Sequence, residues 1–143
     1  MTGVQTCALP ISDSLMKKSH ESAEDYLETI LILRERKGNV RSIDIVNEMN
    51  YSKPSISIAM KKLKSEGMVE MDLNGYITLT PLGEEIAQRI YKRHKLLEKV
   101  LVAIGIDEET AAEEACRIEH VIDDNTYKKI DEFYVKHLEG AGQ

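Results

Sequence analysis

Three short clusters in this chain carry side chains able to bind a metal ion: Asp25 and Glu28, His94 and Glu98, and Cys116, Glu119 and His120. Spacings of three or four residues place such groups on one face of a helix. Together they offer oxygen, nitrogen and sulfur donors, a mixture that suits Fe(II), Mn(II), Co(II) or Zn(II). Calcium or magnesium would want nearly all oxygen. Each cluster also has a plainer reading. Asp25 and Glu28 fit the acidic first turn of a helix, and Cys116 fits a small core residue. His94 follows Lys92 and Arg93, as in a basic patch that meets phosphate. The metal reading gains weight from the recurrence of ligand types on three separate predicted helices.

Those helices follow from periodicity. Glu21 to Lys37 carries Ala23, Tyr26, Leu27, Ile30, Leu31 and Leu33 at helical spacing, with Gly38 as the stop. Ser42 is expected to cap a short helix over Ile43 to Met49, and Asn50-Tyr51 to make a turn. Ser52 is expected to cap a third helix from Lys53 to Ser65, with Pro54 in the first turn, where it is tolerated. Met68 to Met71 and Tyr76 to Thr80 read as strands of a hairpin around Asp72-Leu73-Asn74-Gly75. Thr80 and Pro81 open a long helix to about Ile104, which Gly105 breaks. Asp107 starts a helix to about Ile122, and a last one covers Asn125 to Leu138. The fold class is therefore mainly α: an N-terminal winged helix-turn-helix with a β-hairpin wing, then an all-helical domain that carries the second and third ligand clusters.

Along the third helix Ile56, Met60 and Leu63 are expected inside. Candidate DNA contacts are Ser52, Lys53, Pro54, Ser55, Ser57, Ile58, Lys61 and Lys62. Small hydroxyls allow close approach to phosphates and base edges, and lysines neutralise the backbone. An outward Ile58 makes sense against a thymine methyl. A lysine-rich helix that simply faces water is the plainer alternative; the hairpin that follows at the right distance argues against it.

The bulk numbers agree with a soluble, helix-rich chain: 42% apolar and 31% charged residues over 143 positions. The net charge of −6 argues weakly against nucleic-acid binding by the whole surface, yet Lys53 to Lys64 holds four lysines and no acid. No apolar run is long enough for a membrane span. Two cysteines, Cys7 and Cys116, do not suggest a disulfide framework, so a reducing, cytoplasmic setting with Cys116 as an available thiol is expected. Residues 1–15 read as a non-native leader: Thr2 to Ile11 resembles translated sequencing adapter, and Met16 as the true start.

Three stretches carry a resemblance: Ser22 to Ile30 (SAEDYLETI), Arg93 to Leu101 (RHKLLEKVL) and Glu114 to Ile122 (EACRIEHVI). Through them the chain resembles the diphtheria toxin repressor family of iron- and manganese-dependent repressors, in particular the short manganese-type regulators. The resemblance implies metal ligands at Asp25, Glu28, His94, Cys116, Glu119 and His120. Cys116 stands where the iron type has cysteine and the manganese type glutamate, whereas Asp25 stands where the iron type has methionine. The site is a hybrid. Glu98 matches an ancillary site whose histidine partner is replaced near Ala112, and it reads more readily as a surface acid. The implied layout is a DNA-binding domain over 16–80, a linking helix over 81–104 and a dimerisation and metal domain over 105–143. The implied function is a homodimeric repressor that binds palindromic double-stranded operator DNA when loaded with Mn(II) or Fe(II). Zn(II) or Co(II) would be surrogates, metal-uptake genes the targets, and no organic cofactor is expected.

Ala111, Ala115, Ile118, Ile122, Ile130 and Phe133 are the apolar positions offered for dimerisation. Three other readings compete: a metal enzyme, a winged-helix regulator of a small organic ligand, and a metal buffer. The enzyme lacks a His-Glu-x-x-His pattern, a nucleophile elbow and a phosphate loop.

Overall fold

The computed structural model describes residues 15–138, with side chains from Ala23 onward. Cys7 and the rest of the proposed leader, apart from Leu15, lie outside the described residues. Helix α1 (Leu15–Lys37) starts earlier than its apolar period suggests and ends on Arg34, Arg36 and Lys37, cations that complement the C-terminal dipole. Gly38, at φ +92°, donates to the Arg34 carbonyl and closes the helix.

Helix α2 (Ser42–Met49) is capped one residue earlier than expected. Arg41 holds the N-cap position, because the Asp44 carboxylate accepts from the Arg41 backbone N–H at 2.8 Å. Asn50 then turns the chain at φ +60°, a conformation asparagine tolerates better than most residues. Ser52 caps α3 (Lys53–Ser65) as its position predicts, accepting from the Ser55 N–H at 3.2 Å. The hairpin is shorter than expected, with β1 (Val69–Met71) and β2 (Ile77–Leu79) in register Val69 to Leu79 and Met71 to Ile77. Asp72 limits it: its carboxylate accepts from the Asn74 and Tyr76 N–H groups, and Tyr76 bridges to Arg41 instead of extending β2.

Helix α4 (Pro81–Ala103) begins under the Thr80 hydroxyl, which accepts from the Gly83 N–H at 3.1 Å. Gly83 is required there, since a methyl group would run into the Met68 carbonyl oxygen. Helix α5 (Glu108–Ile118) is capped by Asp107, and α6 (Asp124–Phe133) by Asp123. A short π-helix, Tyr134–Leu138, replaces the α-helical end expected for the last segment.

The chain divides into two compact units, with the division between Arg89 and Ile90 inside α4. In the N-terminal unit α1, α2, α3 and the hairpin enclose Leu27, Ile30, Leu31, Ile45, Met49, Ile56, Met60, Leu63, Val69 and Ile77. Each fully buried aliphatic side chain of this kind stabilises by about 1.5–3 kcal/mol. A bidentate pair between Arg34 and Glu84, at 2.7 and 2.9 Å, ties α1 to the first turn of α4. In the C-terminal unit the buried apolar positions are Ile90, Leu96 and Leu97 of α4 and Ala111, Ala115 and Cys116 of α5. Arg93, His94 and Glu119 are buried with them. Three ionisable side chains in so small a core demand partners.

Candidate metal centre

His94 is 1% exposed and sits two turns before the end of α4. Its Nδ1 lies 2.9 Å from Oε1 of Glu119, which is fully buried, and 3.8 Å from Sγ of Cys116. Ligand atoms of His94, Cys116 and Glu119 all fall within 4.8 Å of one another. An ion bonded at about 2.0–2.3 Å from each would fit that span. On the other side of the ring, Nε2 is buried without a hydrogen-bond partner among the described residues, 3.4 Å from Oε1 of Glu98. A histidine that ligates through one nitrogen commonly turns the other toward a carboxylate. The side chain of His120 follows on, its Nε2 3.4 Å from Oε2 of Glu119. The donor set and the orphaned nitrogen both fit a divalent metal ion.

Several expectations change here. Helix α5 stops at Ile118, so Glu119 and His120 occupy the turn after it instead of a continuing helical face. A distant side chain meets the backbone of that turn. The Arg93 guanidinium donates to the carbonyls of Glu119 (3.3 Å) and Ile122 (2.7 Å), satisfying oxygens that a helix would otherwise use. Arg93 is therefore buried and does not belong to a phosphate-facing patch. Glu98 is no free surface acid, being half-buried beside the His94 ring. Cys116, expected as an available thiol, is disulfide-bonded, and a metal-binding thiolate there needs that bond reduced.

In the N-terminal unit Asp25 and Glu28 are both buried on α1, one turn apart. The Asp25 charge is felt nearby. The Tyr26 and Tyr51 hydroxyls are held above their usual range, first by burial and then by neighbouring charge, that of Asp25 included. Helix α3 presents the expected face: Ser52, Lys53, Pro54, Ser55, Ser57, Lys61 and Lys62 are exposed, and Ile58 is 69% exposed. The Ser52 hydroxyl is already engaged, donating to the Ser55 hydroxyl at 2.9 Å.

A winged helix-turn-helix in one unit and clustered histidine, cysteine and glutamate in the other are the two halves of a described family. The iron-dependent repressor N-terminal DNA-binding domain matches residues 18–77, and the iron-dependent repressor metal-binding and dimerisation domain matches residues 80–139. The chain belongs to the iron-dependent repressor family. An uncharacterised HTH-type transcriptional regulator of Methanocaldococcus jannaschii is 35% identical over 118 residues, covering 81% of this chain and 94% of the relative. The HTH-type transcriptional regulator MntR of Geobacillus thermodenitrificans is 39% identical over 110 residues, or 76% of this chain and 77% of that one. Among solved structures, the IdeR of T. acidophilum superposes with a TM-score of 0.70 at 33% identity, over 78% of this chain and 53% of its own. A manganese-dependent transcriptional repressor in complex with manganese gives 0.71 at 30% identity, over 77% and 51%. The chain thus spans about half the length of these solved members of the family.

Sequence reasoning placed Arg93 in an outward basic patch and left Glu98 between an ancillary ligand and a surface acid. Glu98 was within reach of the pattern, one helical turn from His94. Arg93 was not, because its partners lie 26 to 31 residues along the chain.

Proposed function

We propose that this protein is a metal-dependent transcriptional repressor that binds palindromic operator DNA as a homodimer when loaded with Mn(II) or Fe(II), and so controls metal-uptake genes in the cytoplasm. The observation that carries the reading is the buried group of His94, Cys116 and Glu119, with an unpartnered imidazole nitrogen, on a chain that also has an outward lysine-rich helix. His94, Cys116, Glu119 and His120 are the proposed ligands of the C-terminal unit, and the sequence resemblance adds Asp25 and Glu28 of α1. Glu98 serves as an ancillary carboxylate beside His94. The proposed division of labour is DNA reading by 16–80, linkage by 81–104, and metal binding with dimerisation by 105–143.

A bound divalent ion supplies positive charge, which offsets carboxylates that otherwise repel. Asp25, Glu28 and Glu119 are then held as ligands instead of as uncompensated acids. Recognition helices in a dimer need a separation of about 34 Å to enter successive major grooves. The α3 helices of loaded dimers reach that spacing more often, to an extent set by the ion's differential affinity for the two states. Ser55, Ser57 and Ile58 then meet base edges while Lys53, Lys61 and Lys62 meet phosphate.

The test is an anaerobic calorimetric titration of the reduced chain with Mn(II) and with Fe(II), alongside selection of DNA from a random duplex pool with and without the ion. Saturable binding at one or two ions per chain and metal-dependent recovery of a palindrome are expected, and Glu119→Gln should lose both. Metal-independent DNA binding that survives Glu119→Gln would point to an organic signal. No binding of either ion would sink the proposal.

A further inference from the structure

Arg93 is an unusual residue to bury. It is 4% exposed, and its Nε has no hydrogen-bond partner among the described residues. Burying a guanidinium costs several kcal/mol unless its donors are used. Those donors are spent on one short segment. Nη1 serves the carbonyls of Glu119 and Ile122, and Nη2 pairs with the Asp124 carboxylate at the start of α6. The guanidinium also lies 5.4 Å from the Tyr127 ring centre. The next residue on α4, His94, holds the Glu119 side chain at 2.9 Å. One dipeptide of α4 therefore grips Glu119 twice, by its backbone and by its carboxylate.

We infer that Arg93 is a positioning residue for the metal centre: it ends α5 at Ile118 and fixes the Glu119 carboxylate beside His94 and Cys116. The inference rests on the metal reading above and deepens it. Without the guanidinium, the Glu119 and Ile122 carbonyls would take other donors, and continuation of α5 through Ile122 is the nearest way to supply them. A continued helix would rotate Glu119 away from its present place. Lysine keeps the charge, but a single ammonium cannot span two carbonyls and a carboxylate as a planar fork does. The ion pair itself matters less, because Asp124 is 88% exposed and solvent screens it.

The full chain, reduced and metal-free, is titrated with Mn(II) for affinity and with Co(II) for its absorption spectrum. Wild type is compared with Arg93→Lys, Arg93→Met and Asp124→Asn, at a temperature where circular dichroism shows each to be folded. Both Arg93 variants are expected to bind Mn(II) about 10–100-fold more weakly. Their Co(II) bands should shift, and amide exchange should quicken at residues 119–122 in the metal-free protein. Asp124→Asn keeps both carbonyl bonds and should stay within about threefold of wild type. If Arg93→Met fails to fold, Arg93→Lys decides. A folded Arg93→Lys with wild-type affinity and spectrum overturns the inference and leaves the metal reading standing. An Asp124→Asn as weak as Arg93→Lys overturns the assignment to the carbonyl bonds. A wild type that binds neither ion overturns both readings together.

Discussion

At the scale of single residues, α3 separates two jobs that a mutation series can tell apart. Lys61 is exposed, and its proposed contribution is to phosphate alone. Lys61→Ala should weaken binding to every duplex alike and lower the slope of log affinity against log salt by about 1. Ile58 is also outward, at 69% exposure, but it is apolar and carries no charge to give. Ile58→Ala should leave the salt slope unchanged and cost about 1–2 kcal/mol on operators with a thymine at the contacted step, with little loss elsewhere. Neither change should lower thermal stability, because the α3 core residues are Ile56, Met60 and Leu63. Filter binding over a salt series reads both effects. Equal behaviour of the two variants would mean that α3 does not read bases through Ile58.

At the scale of elements, the Arg34–Glu84 pair gives a pH signature. Hydrogen bonds from Arg34, then from Gln88, pull the Glu84 carboxyl down from 4.5 to about 2. The folded state thus favours the charged form, so the contribution is fully present above about pH 4.5 and is lost as pH falls toward 2. Both side chains are about one-third or more exposed, which discounts the pair to roughly 0.5–1 kcal/mol. Glu84→Gln should therefore melt a few degrees below wild type at pH 7 and level with it near pH 2, as followed by circular dichroism. An equal gap at both pH values would assign the effect to packing. The same contrast between near and far contacts explains what the sequence revealed. The helix-turn-helix was legible because its signals are local: the Ser52 cap, the Asn50 turn and the three-four spacing of Ile56, Met60 and Leu63. The helices that carry Asp25, Glu28, His94 and Cys116 were legible for the same reason. The end of α5 was not, since it depends on a guanidinium from another helix. The Arg41 cap was missed because serine is the stronger prior, and only the Asp44 bond reverses it.

At the scale of the whole molecule, the C-terminal helices make their own demand for a partner. Helix α6 has no buried residue, although its sequence is strongly two-faced. Phe133 and Val135 are each 56% exposed, and Ile104 and Val121 of the same unit are exposed as well. These open apolar side chains are the surface offered here to the proposed partner subunit. Ala111 and Ala115, also offered above for dimerisation, are fully buried within the chain and are core residues instead. The proposed homodimer thus draws on α6 and the turns before it more than on α5. Phe133→Asp should convert the dimer to a monomer in sedimentation at micromolar protein, since a charge cannot be buried there unpaired. The metal group lies on other elements, so Mn(II) stoichiometry per chain should be unchanged in the variant. Operator affinity should nonetheless collapse, because a monomer reaches only one half-site and loses the second set of contacts. A variant that stays dimeric would move the interface away from α6. A monomeric variant that keeps full operator affinity would remove the need for paired recognition helices, and with it the spacing argument for how metal controls DNA binding.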